Sequence, residues 1–280
     1  MVVLSCFQAR EILSARKNNK SSVMTSTDLN LTRGEIQLQP DQVLFPNGER
    51  LDWKSVEEIN SNDVGCYFIE GNTAKVIKGF SEFSGRVYGL MPTDSAPTML
   101  ISGIPMHRIK DTNPYKDTLS KIKAIAPIHG DVLDTTTGLG YTAIEAAKTA
   151  RHVTTIEIDP TAQQIARLNP WSKDLFNNPK ITQLIGDAFD QIETFDDESF
   201  SAIIHDPPMF SLAGDLYSLA FYQQAFRVLK PSRRMFHYIG DPESKSGARV
   251  TAGVIRRLQN AGFQRVNHAP RAFGVVAYKK

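Results

Sequence analysis

From Pro127 to the C-terminus, short apolar runs alternate with helical patterns, and that rhythm constrains the fold more than any other feature. The spacing predicts strands at 131–134, 152–158, 181–185, 200–205, 234–239, 263–269 and 273–278. Helices are predicted between them at 142–149, 160–168, 216–229 and 251–261. Pro160 suits a first helical turn and Gly262 a helix stop. Leu219, Tyr222, Phe226 and Leu229 form one helical stripe. Such alternation predicts an α/β fold, a mostly parallel seven-stranded sheet with helices on both faces. The last two strands, with no helix between them, predict a closing antiparallel hairpin.

The first half reads differently. Residues 1–33 are expected to be a flexible N-terminal segment, because 18–28 is rich in Ser, Thr, Asn and Lys. Residues 34–98 show period-two runs broken by Pro46-Asn-Gly48 and Glu70-Gly-Asn72, the pattern of a small β-rich domain. Residues 99–126 form a connector ending in a helix with apolar Leu119, Ile122 and Ile125. Residues 127–280 form the main domain.

Composition narrows the class. Apolar residues make up 41% and charged residues 22%, with a formal net charge of +2. This is an ordinary globular balance, and it argues only weakly for a nucleic-acid partner. No apolar run approaches membrane-spanning length, and the opening seven residues are too short and lack the basic leader of a secretory signal. Cys6 and Cys66 are too few for a disulfide framework. A cytoplasmic location is expected, with no membrane partner. Homodimerisation is left open.

The stretch Val132-Leu-Asp134-Thr-Thr-Thr-Gly138-Leu-Gly140-Tyr-Thr-Ala143 is the main chemical signal. A strand ends in an acid, a loop of small residues follows, and a helix begins. Gly138 and Gly140 remove side chains where a ligand must press on backbone. The helix N-terminus suits an anionic group. Glu157, some twenty residues beyond the loop, ends the next strand, where an acid can bridge two ribose hydroxyls. Asp187 ends the third strand within reach of an adenine amino group. All three acids fall at the strand edge where open α/β sheets bind ligands.

In these residues the chain from Asp131 onward resembles the class I S-adenosylmethionine-dependent methyltransferases, whose fold is Rossmann-like. Their acid, three residues, Gly-x-Gly pattern is met by Asp134, Gly138 and Gly140. The resemblance implies S-adenosylmethionine as cofactor. It implies a binding site of Asp134, Thr135, Gly138, Gly140, Glu157, Ile158, Asp187 and Ala188, and no metal.

His205-Asp206-Pro207-Pro208-Met209-Phe210 follows the fourth strand. Two prolines stiffen the loop and withdraw two backbone donors, leaving an acceptor-rich pocket that could orient an amino group. This resembles the Asp/Asn-Pro-Pro-aromatic motif of amino-methyltransferases, here with Met209 in fourth place and the ring at Phe210. Asp206, Pro207 and Pro208 are therefore expected to be catalytic. His107, Arg108, Phe210 and Tyr217 are expected on the substrate side. The acceptor is an RNA base, a protein amide or a small molecule. A second resemblance, carried by Asp206-Pro207, Leu216-Tyr217, Phe221-Tyr222 and Leu229-Lys230-Pro231, is to spermidine synthases, which implies aminopropyl transfer as an alternative. The loop Thr135-Thr-Thr-Gly138 lacks the acid of that family. A non-catalytic adenosyl-binding scaffold is the third reading.

Overall fold

A computed structural model describes residues 1–208, 213–240 and 245–280. Its contacts divide the chain into two compact units. One comprises Met1–Tyr115 and Thr161–Lys173, the other Lys116–Pro160 and Asp174–Lys280.

The first unit holds three antiparallel sheets. Residues 1–33, expected to be flexible, are folded. Strand Val2–Leu4 pairs with Tyr67–Glu70, helix Cys6–Lys17 follows, and strand Ser22–Thr25 pairs with Gly34–Leu38. Ser5 caps the helix in a reciprocal capping box with Gln8, whose Oε1 accepts from the Ser5 amide at 2.9 Å. The apolar side chains Val2, Leu4, Ala9 and Ile12 join Ile36, Val43, Phe45, Trp53 and Ile69 in one core. That burial outweighs the polar composition of the segment. The connector 99–126 likewise begins with strands Thr98–Ile101 and Ile104–Pro105.

The second unit is built on the seven-stranded sheet. In chain order its strands are β1 (Asp131–Asp134), β2 (His152–Glu157), β3 (Ile181–Ile185), β4 (Phe200–His205), β5 (Leu229–Tyr238), β6 (Arg265–Ala269) and β7 (Gly274–Tyr278). They lie side by side as β3-β2-β1-β4-β5-β7-β6. The first five are parallel, and β7 runs antiparallel to both β5 and β6. The helices are α1 (Pro114–Ile125), α2 (Tyr141–Ala147), α3 (Pro160–Leu168), α4 (Lys173–Asn177), the single turn α5 (Ala188–Gln191), α6 (Leu219–Val228) and α7 (Lys245–Asn260). Among them α3, apart from Pro160, falls in the first unit.

Three boundaries differ most from the sequence reading. The helix expected from 251 starts at Lys245. The helix expected from 216 starts at Leu219, because Ser218 accepts from the Phe221 amide at 3.1 Å and so acts as its N-cap. The fifth strand starts at Leu229 rather than 234, with a register shift opposite Phe200 and Ala202. Fully buried Leu133, Ile203, Phe221, Tyr222, Met235, Leu258 and Val275 are among the residues of the unit's core. Strand polarity places the C-terminal ends of β1 to β4 along one edge. Among the described residues, no helix is long and apolar enough to cross a membrane.

Candidate functional site

The edge begins with Asp134, the last residue of β1 and fully buried. Its Oδ2 accepts from the Thr142 hydroxyl of α2 at 3.0 Å and the Thr155 hydroxyl of β2 at 3.1 Å. Its Oδ1 has no hydrogen-bond partner, although the Thr136 amide lies near enough to favour the ionised form. Burial drives its pKa up to about 8, and the charge of Asp206 pushes the same way. A buried carboxylate with one oxygen unpaired is costly. It is compensated when a cationic donor such as an ammonium group arrives.

Glu157 closes β2 and is also buried. Its Oε2 accepts from the Gly138 amide at 2.8 Å and its Oε1 from the Asp159 amide at 3.1 Å. Burial lifts its pKa to about 7, with Asp159 adding to the rise. The glycine loop and the second-strand acid are thus one assembly.

The two glycines of the loop do different work. Gly140 has φ +77°, and a Cβ there would meet Leu175 side-chain carbons from 2.6 Å. Gly138 has φ +52°, but a Cβ there would meet nothing within 4 Å. The space over Gly138 is open, beside the carboxylate it holds.

Asp187 accepts from the Phe189 amide at 2.8 Å and caps α5. It stands two residues beyond Ile185, the register partner of Glu157. Ile158 and Ile185 are 43% and 48% exposed, which puts apolar surface at the same rim. Ala188 is buried. Thr135, expected beside the cofactor, is buried with its hydroxyl 2.7 Å from His205 Nδ1. His205 Nε2 meets the Leu216 carbonyl at 2.9 Å, so it donates there and Nδ1 accepts from Thr135. His237 meets His205 edge to face with centroids 4.4 Å apart, and its Nε2 lies 2.8 Å from the Tyr222 hydroxyl. Burial holds both imidazoles neutral, His205 down at about 3. These histidines brace the strand ends from within the core.

The loop after β4 is more heavily engaged than the sequence suggested. The Asp206 carbonyl accepts from the Thr136 hydroxyl at 2.8 Å, which ties this loop to the glycine loop. The Pro208 carbonyl accepts from Tyr217 Oη at 3.0 Å. Tyr217 itself is 2% exposed, so it props the loop from below rather than lining an open surface. Asp206 Oδ2 accepts from Lys121 Nζ at 2.6 Å. The acceptor-rich pocket expected here therefore has three of its acceptors already occupied by the protein.

Lys121 was missed by sequence reasoning. Its helix, α1, looked merely amphipathic, and Asp117 with Lys121 has the i, i+4 spacing of an ordinary surface pair. The structure buries both side chains, at 0% and 2% exposure, with Nζ 2.9 Å from Asp117 Oδ2 and 4.5 Å over the Tyr238 ring. The readable signal was the register. Asp117 and Lys121 sit eight and four residues before Ile125, on its face, and Ile125 is fully buried.

Of the remaining expected residues, His107 and Arg108 lie in the first unit, where His107 Nδ1 is 3.0 Å from the Thr98 hydroxyl. Phe210 lies outside the described residues.

Residues 117–238 match a family model described as a methyltransferase small domain. An uncharacterized protein of Methanocaldococcus jannaschii is 43% identical over 277 residues, covering 97% of this chain and 93% of that protein. A spermidine synthase solved with the transition-state analogue AdoDATO superposes with a TM-score of 0.59 at 18% identity, covering 74% of this chain and 75% of that one. Spermidine synthase from Thermotoga maritima gives 0.57 at 19% identity, covering 75% and 76%. At such identities the likeness is one of fold.

Proposed function

Because the chain belongs to the class I S-adenosylmethionine-dependent methyltransferase family, we propose that it transfers the methyl group of S-adenosylmethionine to a nitrogen of its acceptor. The observation that carries this reading is the assembly of Asp134, Gly138 and Glu157 at the ends of two adjacent parallel strands. The residues fit the cofactor. Asp134 Oδ1 is a buried acceptor in want of a cation, and the space over Gly138 admits a ligand against the backbone. In this reading helices cover both faces of the sheet in a Rossmann-like arrangement, and the enzyme works in the cytoplasm.

Asp134 and the 135–140 loop would hold the methionine moiety and Glu157 the ribose. Asp187, Ala188 and the exposed Ile158 would frame the adenine. When bound, S-adenosylmethionine supplies an activated methyl on a sulfonium. The protein supplies position. Thr136 fixes the Asp206 carbonyl and Tyr217 fixes the Pro208 carbonyl, so the 206–208 loop is held at two points beside the glycine loop. The exposed part of the Asp206 carboxylate, with the Pro207 carbonyl, remains to orient the acceptor nitrogen. Phe210 is proposed to contact the rest of the acceptor, an RNA or a small molecule.

Thermal unfolding with three ligands tests this reading. S-adenosylmethionine and S-adenosylhomocysteine, each at a hundredfold excess over its dissociation constant, should stabilise by about 2.7 kcal/mol. A rise confined to decarboxylated S-adenosylmethionine would replace methyl transfer by aminopropyl transfer. No rise with any of the three would leave only a scaffold.

A further inference from the structure

Charge is spread unevenly along the chain. Glu243 is its last acidic residue, and 244–280 hold eight of the 32 lysines and arginines and none of the 30 acids. The first 243 residues therefore carry a formal net charge of −6 and the last 37 carry +8, a separation concealed in the overall +2. The acid-free stretch folds as α7, β6 and β7, and β6 is an edge strand of the seven-stranded sheet.

Two of the eight cations are spent inside the protein. Arg257 Nε donates to the Tyr217 carbonyl at 2.8 Å, and the buried Lys279 Nζ donates to the Leu229 carbonyl at 2.6 Å. Arg249, Arg256, Arg265, Arg271 and Lys280 are exposed. The period of α7 explains the first two. Thr251, Val254 and Leu258 are buried, and Val254 and Leu258 share the core with Val275 and Ala277 of β7. Arg249 and Arg256 lie two turns apart on the opposite face, about 10 Å along the axis. Arg265 rests over the Tyr278 ring at 4.0 Å, which holds its guanidinium at the sheet edge. Among the described residues, Arg249, Arg256 and Arg265 take part in no ion pair.

Topology aligns these cations with the site. β5 and β6 are both antiparallel to β7 and so parallel to each other, and α7 runs back between them in the chain. Arg249 near the start of α7 and Arg271 just after β6 therefore stand toward the carboxyl edge, with Arg256 and Arg265 toward the other end. Three strand spacings separate β6 from β4, so the turn holding Arg271 is roughly 15 Å along that edge from the 206–208 loop. An array of this length suits an extended polyanion rather than one bound ion. Among the described residues of 244–280 no large apolar side chain is exposed, so the apolar anchors of a membrane-bound helix and the aromatic centre of a protein interface are both missing there. Four of the five cations are guanidiniums, whose fork matches phosphate oxygens. α7 lies flat on the sheet and does not project as a reading head for the major groove of B-DNA. A broad, shallow surface suits the wide minor groove and backbone of RNA.

We propose that the outer face of α7 and the adjoining edge around β6 dock the phosphate backbone of a folded RNA. The surface follows from charge and topology, and it holds whichever group the enzyme transfers and whichever atom receives it. Phosphate contacts position a nucleic acid without reading its sequence, so these residues orient the RNA along the edge that leads to the 206–208 loop.

The experiment follows the fluorescence anisotropy of a labelled RNA hairpin with the full chain across a range of salt concentrations. The wild type should bind, with log affinity falling linearly against log salt. The triple variant Arg249→Gln, Arg256→Gln, Arg265→Gln should bind at least about tenfold more weakly at low salt, and its salt slope should be shallower by about two to three. A second triple variant, Lys17→Gln, Lys54→Gln, Lys78→Gln, removes the same charge from exposed positions elsewhere and should bind like the wild type. Equal losses in the two would overturn the proposal, because net charge alone would then explain binding. So would tighter binding to a DNA hairpin of the same sequence, binding to phosphatidylserine vesicles in place of RNA, or a salt-sensitive dimer abolished by the arginine substitutions, each of which gives the surface another occupant. No RNA binding at low salt with protein at about 100 μM would overturn it outright. The rise in Tm with S-adenosylhomocysteine should be the same in the wild type and both variants. Its absence from all three would sink the cofactor reading and leave the RNA result standing.

Discussion

The Gly138 amide donates to Glu157 Oε2 at 2.8 Å, so the loop after β1 and the acid closing β2 hold each other. One oxygen faces the loop and the other the Asp159 amide, and the carboxylate is oriented before any ligand arrives. Glu157→Gln keeps the shape and removes the charge. Hydrogen bonds to charged groups contribute about 1.5–3 kcal/mol, so S-adenosylhomocysteine should bind roughly 10- to 100-fold more weakly by calorimetry. The ligand-free Tm should also fall somewhat, because the new amide nitrogen cannot accept and leaves one of the two backbone N–H donors without its partner.

The two loop glycines should separate stability from binding. Gly140→Ala meets both a left-handed backbone and the Leu175 side chain. It should cost more than the roughly 1–2 kcal/mol of the backbone alone. Gly138→Ala meets only the backbone, so its loss of Tm should be the smaller of the two. The added methyl stands in the open space over the loop, and S-adenosylhomocysteine affinity should fall well beyond what the change in stability explains.

Stability should carry the signature of Asp134. A carboxyl whose folded pKa is raised contributes stability that is full below its ordinary value and lost as pH rises through the folded value. Asp134 is pushed up to about 8 and Glu157 to about 7. His205 and His237 are shifted down and act only below their ordinary value of 6.5. The Tm of the ligand-free protein should therefore fall from pH 7 to pH 9, and Asp134→Asn should flatten most of that slope. A ligand ammonium against Asp134 restores the ionised form, so ligand-induced stabilisation should grow with pH over the same range.

The N-terminal helix offers an independent check on the folding of the first unit. Ser5→Ala removes the cap and its box with Gln8. It should cost about 1 kcal/mol, visible in the unfolding of that unit.

The sequence read most clearly where period and chemistry coincide. The strand-helix rhythm after Pro127 placed every strand of the seven-stranded sheet, because parallel strands buried on both faces are continuous apolar runs. Asp134 and Glu157 were legible because each ends such a run, and Asp187 because it follows one by two residues. Three features were not. The strand Val2–Leu4 is too short to show a period, and its value lies in a partner some sixty-five residues away. Thr135 and Tyr217 carry hydroxyls that look available in sequence, and only tertiary packing commits them to His205 and to the Pro208 carbonyl. Lys121 and Asp206 are 85 residues apart. Nothing local marks a lysine as buried when its charge is compensated from another element.

The central claim is that the edge formed by Asp134, Gly138 and Glu157 binds S-adenosylmethionine, and a crystal structure with S-adenosylhomocysteine tests it most directly. The account predicts ribose hydroxyls on Glu157, the amino group of the amino-acid moiety at Asp134 Oδ1, and the sulfur facing the 206–208 loop. A ligand bound elsewhere, or a site that stays empty at saturating ligand with Asp134 and Glu157 unchanged, would contradict it.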